Sequence, residues 1–308
     1  MSASEPKQSV RVPGKVMLSG EYAVLLGATA ALLPVPRYLE LAAADAEPAG
    51  GYPPALAAAR ALAVPELAEH EQAHGVPQAT ADATQFYAAG VDGQQVKLGL
   101  GLSAAEAVGM LALRFAVAGL NWQARRERIC ELALIAHANA QGGSGSGADV
   151  AACAMGQAIL YRLPSGAVPE AASMARPDTG GVPLALLWTG QPADTRTLVA
   201  RFDAWVSGGG LSAGDMQVLV SAADELAPLW FGADTAALYS ALDEFDAVLT
   251  RRLTAAGVSY RLPVHARIEQ WARKHGGRAK PTGAGGGDMI LLVGELPLQQ
   301  LRGLVIEL

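Results

Sequence analysis

Hydrophobic positions along this chain follow two periods. Residues 10–12 and 16–18 are short strand-forming runs separated by Pro13-Gly14, and the apolar pattern resumes at 22–26, which predicts a strand, a turn carrying Lys15 and a further strand. Residues 103–118 set Ala105, Val108, Leu111, Ala112 and Phe115 three and four apart, and 125–140 repeat that spacing through Ile129, Leu132, Ala136 and Ala140, so both predict helices. Residues 148–156 predict a third, shorter helix. Further on, 182–188 predicts a strand, 195–206, 212–229, 235–256 and 264–275 predict helices, and 289–293 a buried strand joined to the last helix by 281–288.

Two stretches lack this periodicity. Residues 48–95 are rich in Ala, Pro and Gly with scattered charges and predict surface helices and loops around an apolar segment at 56–63. Residues 164–181, rich in Pro, Gly, Ser and Ala, predict a linker. With 308 residues, the chain is expected to form two domains, 1–175 and 176–308, of mixed α+β class.

Composition narrows the function. Hydrophobic residues make up 51% and charged residues 17%, which excludes a largely disordered chain. The net charge of −6, from 23 basic and 29 acidic residues, supplies no diffuse positive field for nucleic acid or an anionic membrane, so any anion must be held locally. Cys130 and Cys153 lie in apolar helical stretches and form neither a disulfide framework nor a metal-ligand spacing. Residues 1–9 are polar, and the longest apolar stretch, 23–36, is broken by Gly27 and Pro34. The expectation is therefore no export, no membrane span and a cytoplasmic location.

The chemistry-bearing signal is three clusters dense in glycine: Gly99-Leu100-Gly101-Leu102-Ser103, Gly142-Gly143-Ser144-Gly145-Ser146-Gly147, and Gly283-Ala284-Gly285-Gly286-Gly287-Asp288. Glycine allows close backbone approach, so successive amides can converge on phosphate oxygens, and the first two clusters precede helices whose N-termini attract anions. Each cluster alone is ordinary turn material. No GxxxxGK[ST] occurs and no GxGxxG follows a strand, so Walker-type and dinucleotide sites are unsupported. One amine and one carboxylate beside such loops would complete a phosphoryl-transfer site; Lys15 and Asp149 are the candidates, although the plainer role of Asp149 is helix capping.

These segments resemble the three motifs of the GHMP kinase superfamily, in order. Val12-Pro13-Gly14-Lys15-Val16-Met17-Leu18-Ser19-Gly20-Glu21-Tyr22 resembles its N-terminal motif, Lys97-Leu98-Gly99-Leu100-Gly101-Leu102-Ser103-Ala104-Ala105 its phosphate loop, and Pro281-Thr282-Gly283-Ala284-Gly285-Gly286-Gly287-Asp288 its C-terminal motif. The middle segment, Ala136-His137-Ala138-Asn139-Ala140-Gln141-Gly142 continued by Gly145-Ser146-Gly147-Ala148-Asp149-Val150, is most similar to phosphomevalonate kinases. The loop Trp188-Thr189-Gly190-Gln191-Pro192-Ala193-Asp194-Thr195 resembles the one that opens the family's C-terminal domain.

The resemblance implies an N-terminal domain like ribosomal protein S5 domain 2 and a ferredoxin-like C-terminal domain, with an active-site cleft between them. It implies ATP and Mg²⁺ as cofactors and 5-phosphomevalonate as the small-molecule acceptor, giving 5-diphosphomevalonate in isoprenoid precursor synthesis. Lys15 and Asp149 would be catalytic; Gly99, Leu100, Gly101, Leu102, Ser103 and Ala104 would hold ATP; Ser103 would also reach Mg²⁺. Lys97, Ser146, Gly147, Arg196, Gly283, Ala284 and Gly285 would bind substrate. Two positions depart from the family pattern: Leu102 replaces the first of two serines, and Gly143 replaces a lysine, for which Lys97, Arg196 or Lys280 are stand-ins. Each of these three has a solvated surface charge as its plainer role. Open alternatives are a mevalonate kinase or another GHMP kinase acting on an alcohol, and a non-catalytic nucleotide- or metabolite-binding homologue. A monomer and a homodimer are both compatible with the sequence.

Overall fold

The computed structural model describes residues 8–90, 93–142, 145–163, 170–173 and 181–308, with the backbone alone at 170–173. In chain order the elements are β1 (Ser9–Ser19), β2 (Thr29–Ala44), α1 (Pro54–Ala61), α2 (Ala68–His74), β3 (Gln78–Asp82), β4 (Tyr87–Ala89), β5 (Gln95–Lys97), α3 (Leu102–Val117), α4 (Arg126–Gln141) and α5 (Ala148–Met155). They continue with β6 (Ile159–Arg162), β7 (Glu170–Ser173), β8 (Leu184–Trp188), α6 (Thr195–Ser207), α7 (Ala213–Leu229), α8 (Thr235–Ala255), α9 (Pro263–Lys274), β9 (Arg278–Pro281), β10 (Met289–Val293) and β11 (Val305–Glu307). This is the α+β class expected. The chain forms two compact units, one of Met1–Lys15, Arg37–Phe86 and Gly101–Gly156, the other of Val16–Pro36, Tyr87–Leu100 and Gln157–Leu308. The boundary expected between 175 and 176, and most of the expected linker, lie outside the described residues.

The first unit is built around α3. Every residue from Ala104 to Phe115 is buried, so this helix is apolar nearly all round, as core helices are. Gly109 faces Leu41, Leu39 and Val12, and a methyl group there would overlap Leu41. Helices α1, α4 and α5 pack on α3. Helix α1, which takes up most of the apolar segment expected at 56–63, is a core element with Leu56 and Ala59 fully buried. Its burial depends on Arg114, a buried cation that periodicity does not reveal. One terminal nitrogen donates to the carbonyls of Ala59 (2.7 Å) and Leu62 (2.9 Å), and the other two nitrogens grip Glu71 of α2 at 2.8 and 2.9 Å. Removing one partner of such a buried pair costs about 3–5 kcal/mol.

Two local expectations are corrected here. Residues 9–19 form one strand through Pro13-Gly14, so Lys15 lies in a strand and not in a turn. Strand β1 is at the edge of its sheet, in the order β1-β2-β6-β7, and an edge strand tolerates a proline whose missing N–H has no ladder partner. Residues 23–26 form a 3₁₀ turn in place of a strand, closed by Gly27 in the left-handed region. The prolines at 34 and 36 fall inside β2, between its pairing with β6 (29–32) and with β3 (40–44), where neither ladder needs their amides.

In the second unit, β11, β8, β10 and β9 form an antiparallel sheet in that order. Strand β10 is buried along its whole length, with Leu291 opposite Leu186 on one side and Lys280 on the other. Strand β9 falls between the predicted helix end at 275 and the connection 281–288, where no element is predicted; its sequence, Arg-Ala-Lys-Pro, carries no strand signature. Lys280 is not a solvated charge and not a spare phosphate-binding cation: it is 1% exposed and ion-paired to the fully buried Glu21. Helices α6, α7 and α8 start at Asp194, Ser212 and Asp234, whose side chains accept from the amides of Thr197 (3.2 Å), Asp215 (3.1 Å) and Ala237 (2.9 Å). Among the described residues, no helix is long and apolar enough to cross a membrane.

At the start of α9, His265 is fully buried and its Nδ1 accepts from the Leu262 amide at 2.9 Å. Burial, with Arg261 nearby, lowers its pKa from 6.5 to about 4. The unfolded chain therefore binds more protons between these values, so the contribution of neutral His265 is complete above pH 6.5 and is lost as pH falls toward 4, to about 3 kcal/mol in all. Urea unfolding at pH 7 and pH 5 is expected to show this loss in the wild type and a smaller one in His265→Leu; equal losses would contradict it.

Candidate active site

Lys15 is the organising side chain of the first unit. Strand β1 is buried along its second half, so the Lys15 side chain is 9% exposed and its ammonium must find a counter-charge. Its Nζ lies 3.0 Å from Asp149 Oδ1, in the first turn of α5, and its stem rests on Gly101 at the start of α3. Thus one lysine lies across the beginnings of two helices.

Both helices begin at a left-handed glycine, Gly101 for α3 and Gly147 for α5, and neither glycine has a side chain to cap the first amides. Such a helix start, with its unsatisfied N–H groups and positive dipole end, suits an anion. Ser146 Oγ takes one of these amides, that of Ala148, at 3.3 Å. Leu102 is 6% exposed and packs into the core. Ser103 is half-buried at the second position of α3, and Ala104 is buried. Gly142 ends α4 in the left-handed conformation, and Gly143 and Ser144 lie outside the described residues.

These residues fit a triphosphate better than a resident metal cage. Among the described residues there is no group of three or more His, Cys, Asp and Glu side chains able to hold a metal. A Mg²⁺ ion takes few protein oxygens when phosphates supply the rest, and Ser103 would be the protein oxygen that holds it here. Burial pushes the Cys130 thiol up to about 12 and, with the Asp149 charge, pushes Cys153 higher still, which disfavours the thiolate at both.

The remaining expected residues belong to the second unit. Lys97 and Arg196 are both exposed, on β5 and in the first turn of α6. The C-terminal glycine loop is held from several directions. Tyr22 donates its hydroxyl to the Ala284 carbonyl at 2.8 Å, Tyr260 donates to Pro281 at 3.2 Å, and the amides of Gly285 and Gly286 donate to Thr282 and Tyr260. The Gly285 amide is therefore already used, and that residue offers a ligand shape but no donor. Tyr22, Tyr260, Glu21 and Asp288 carry this arrangement without having been singled out from sequence. Tyr22 and Asp288 are the non-glycine residues with positive φ, 59° and 51°, among those described. No sequence signal marks the first, and only the preceding glycine run hints at the second.

Residues 92–157 match the model of the GHMP kinases N terminal domain. A Listeria innocua protein, Lin0012, is similar in structure, with a TM-score of 0.76 at 21% identity over 97% of this chain and 99% of its own. Streptococcus pneumoniae phosphomevalonate kinase, in complex with phosphomevalonate and AMPPNP, gives 0.73 at 17% identity over 93% and 92%. Methanococcus jannaschii mevalonate kinase gives 0.63 at 13% over 99% and 98%. No curated protein matches at the level of sequence. At these identities the structural likeness defines the fold alone, and the match to the GHMP kinases N terminal domain is confined to residues 92–157.

The contact between Lys15 and Gly101 can be tested directly. A methyl group at Gly101 (φ 81°) would stand 2.9 Å from Lys15 Cγ and Cε, whereas at Gly119 (φ 74°) it would meet open space. Both Gly→Ala changes are expected to lose ~1 kcal/mol or more through the backbone, with Gly101→Ala losing about 1 kcal/mol beyond Gly119→Ala from crowding. Urea unfolding measures the difference, and equal losses would show that Lys15 does not lie against Gly101.

Proposed function

We propose that the chain is an ATP-dependent phosphotransferase that converts 5-phosphomevalonate to 5-diphosphomevalonate, with 1–175 and 176–308 as the two domains of a cytoplasmic GHMP kinase. The observation that carries this reading is the Lys15–Asp149 pair, set between the glycine-led starts of α3 and α5 in the order the family's motifs require. The similarity to a phosphomevalonate kinase holding phosphomevalonate and AMPPNP supports the choice of acceptor.

The acceptor's chemistry assigns the roles. A phosphate monoester with a second pKa near ~6 is largely dianionic at neutral pH, so the attacking oxygen has no proton to lose. That oxygen attacks the γ-phosphorus, the bond from the γ-phosphorus to the bridging oxygen breaks, and ADP leaves with the electron pair. The difficulty is bringing two anions together, and Lys15 is placed to offset it by bridging donor and acceptor phosphates. Asp149 then orients the Lys15 ammonium and does not act as a base. Gly99 to Ala104 hold the ATP phosphates, and Ser146, Gly147, Gly283, Ala284, Lys97 and Arg196 serve the acceptor. Mg²⁺, held by the phosphates with Ser103, supplies charge neutralisation when bound.

Incubating the purified protein with ATP and Mg²⁺ and with each acceptor separately, and following ADP release, tests this. The expected kcat/KM for 5-phosphomevalonate exceeds that for mevalonate by at least about 100-fold, because a pocket built for a second phosphate leaves charges unpaired when it is missing. Preference for mevalonate would make Asp149 a base for an alcohol. ATP binding without transfer to any acceptor would make the chain a non-catalytic homologue.

A further inference from the structure

Asp288 closes the C-terminal glycine loop in a conformation that disfavours it. Its φ is 51°, a value natural for glycine and tolerated by aspartate only at a cost that surrounding contacts must offset. Those contacts are present within the second unit. The Asp288 amide donates to Gln191 at 2.7 Å, its carbonyl accepts from Thr189 at 2.9 Å, and its Oδ1 accepts from the Ala193 amide at 3.1 Å. The same carboxyl group lies so close to Gly99 that a methyl group at 99 would overlap it. Gly99, itself at φ 72°, leads through the buried Leu100 to Gly101. One side chain thus touches the loop at 189–193 and the first glycine of the segment 99–103, while its backbone ends the loop 282–288.

We propose that Asp288 is a positioning residue for nucleotide binding: its carboxyl group fixes Gly99 and the Ala193 amide, and so sets the direction of the backbone that receives the ATP phosphates. This rests on the reading that residues 99–104 hold ATP. It adds a residue that contacts no reacting atom and acts through shape and one accepted hydrogen bond. In this positive-φ conformation the carboxyl group reaches both partners.

Two substitutions separate positioning from mere folding. Asp288→Gly suits the backbone and removes the carboxyl group, while Asp288→Asn keeps the shape and the oxygen that accepts from Ala193. The expected result is a rise of about tenfold or more in the KM for ATP in Asp288→Gly, with kcat within about threefold, and recovery in Asp288→Asn. Amide exchange at Ala193 and Gly99 in the nucleotide-free protein is expected to quicken at least about tenfold in Asp288→Gly and to stay near wild type in Asp288→Asn. An unchanged KM in Asp288→Gly, or equal damage in both variants, overturns the proposal. If the wild-type chain releases no ADP with any acceptor, the proposed reaction fails, and exchange still decides this inference: unchanged exchange at both amides in Asp288→Gly overturns it.

Discussion

The first unit depends on where a buried ammonium finds its counter-charge. Lys15 sits on a strand whose neighbours are core residues, so its charge is tolerable only where Asp149 and the helix starts meet it. Satisfying that requirement draws α5 to β1 and requires a glycine at 101, because the lysine stem occupies the space a side chain would fill. The outcome is an ammonium and a carboxylate held 3.0 Å apart beside the glycine-led starts of α3 and α5.

The second unit meets a different constraint, that of holding a glycine-rich loop still. Glycine gives the loop its close approaches and also its freedom, and that freedom would cost binding energy if a ligand had to remove it. Tyr22, Tyr260 and Asp288 restrain the loop through side chains, and the Glu21–Lys280 pair anchors the strand that enters it. Burial holds Glu21 above the usual carboxylate range even beside Lys280, so this pair is costly to desolvate and marks the position of β9 specifically. The motif that carries Lys15 continues directly into Ser19, which accepts from Trp230 at 3.0 Å, and then into Glu21 and Tyr22. A single run of sequence therefore supplies the lysine paired with Asp149 and the anchors of the loop.

What could be read in the sequence was what local pattern determines. Helices α3, α4, α6, α7, α8 and α9 appear within a residue or two of their predicted bounds, because their apolar spacing and, for α6, α7 and α8, their Asp or Ser caps are local signals. Strand β1 was read as broken at Pro13-Gly14 because edge position, which makes the proline harmless, is a property of the finished sheet. The run at 23–26 is too short for periodicity to separate a strand from a 3₁₀ turn. Lys280 was misjudged for the same reason that Arg114 went unnoticed: their partners, Glu21 and Glu71, are 259 and 43 residues away, and charge burial is decided only by the fold. In the site, the glycine clusters and Lys15 and Asp149 were legible as residue types, whereas the conformations of Tyr22 and Asp288 belong to chain closure.

In the proposed reaction Lys15 acts on the transferring phosphoryl group and is not merely a structural cation. Lys15→Met keeps the apolar stem over Gly101 and removes the charge. With ATP affinity measured by calorimetry and turnover on 5-phosphomevalonate by ADP release, kcat is expected to fall at least about 100-fold while ATP affinity changes only a few-fold. Normal turnover with substrate binding intact would contradict the account.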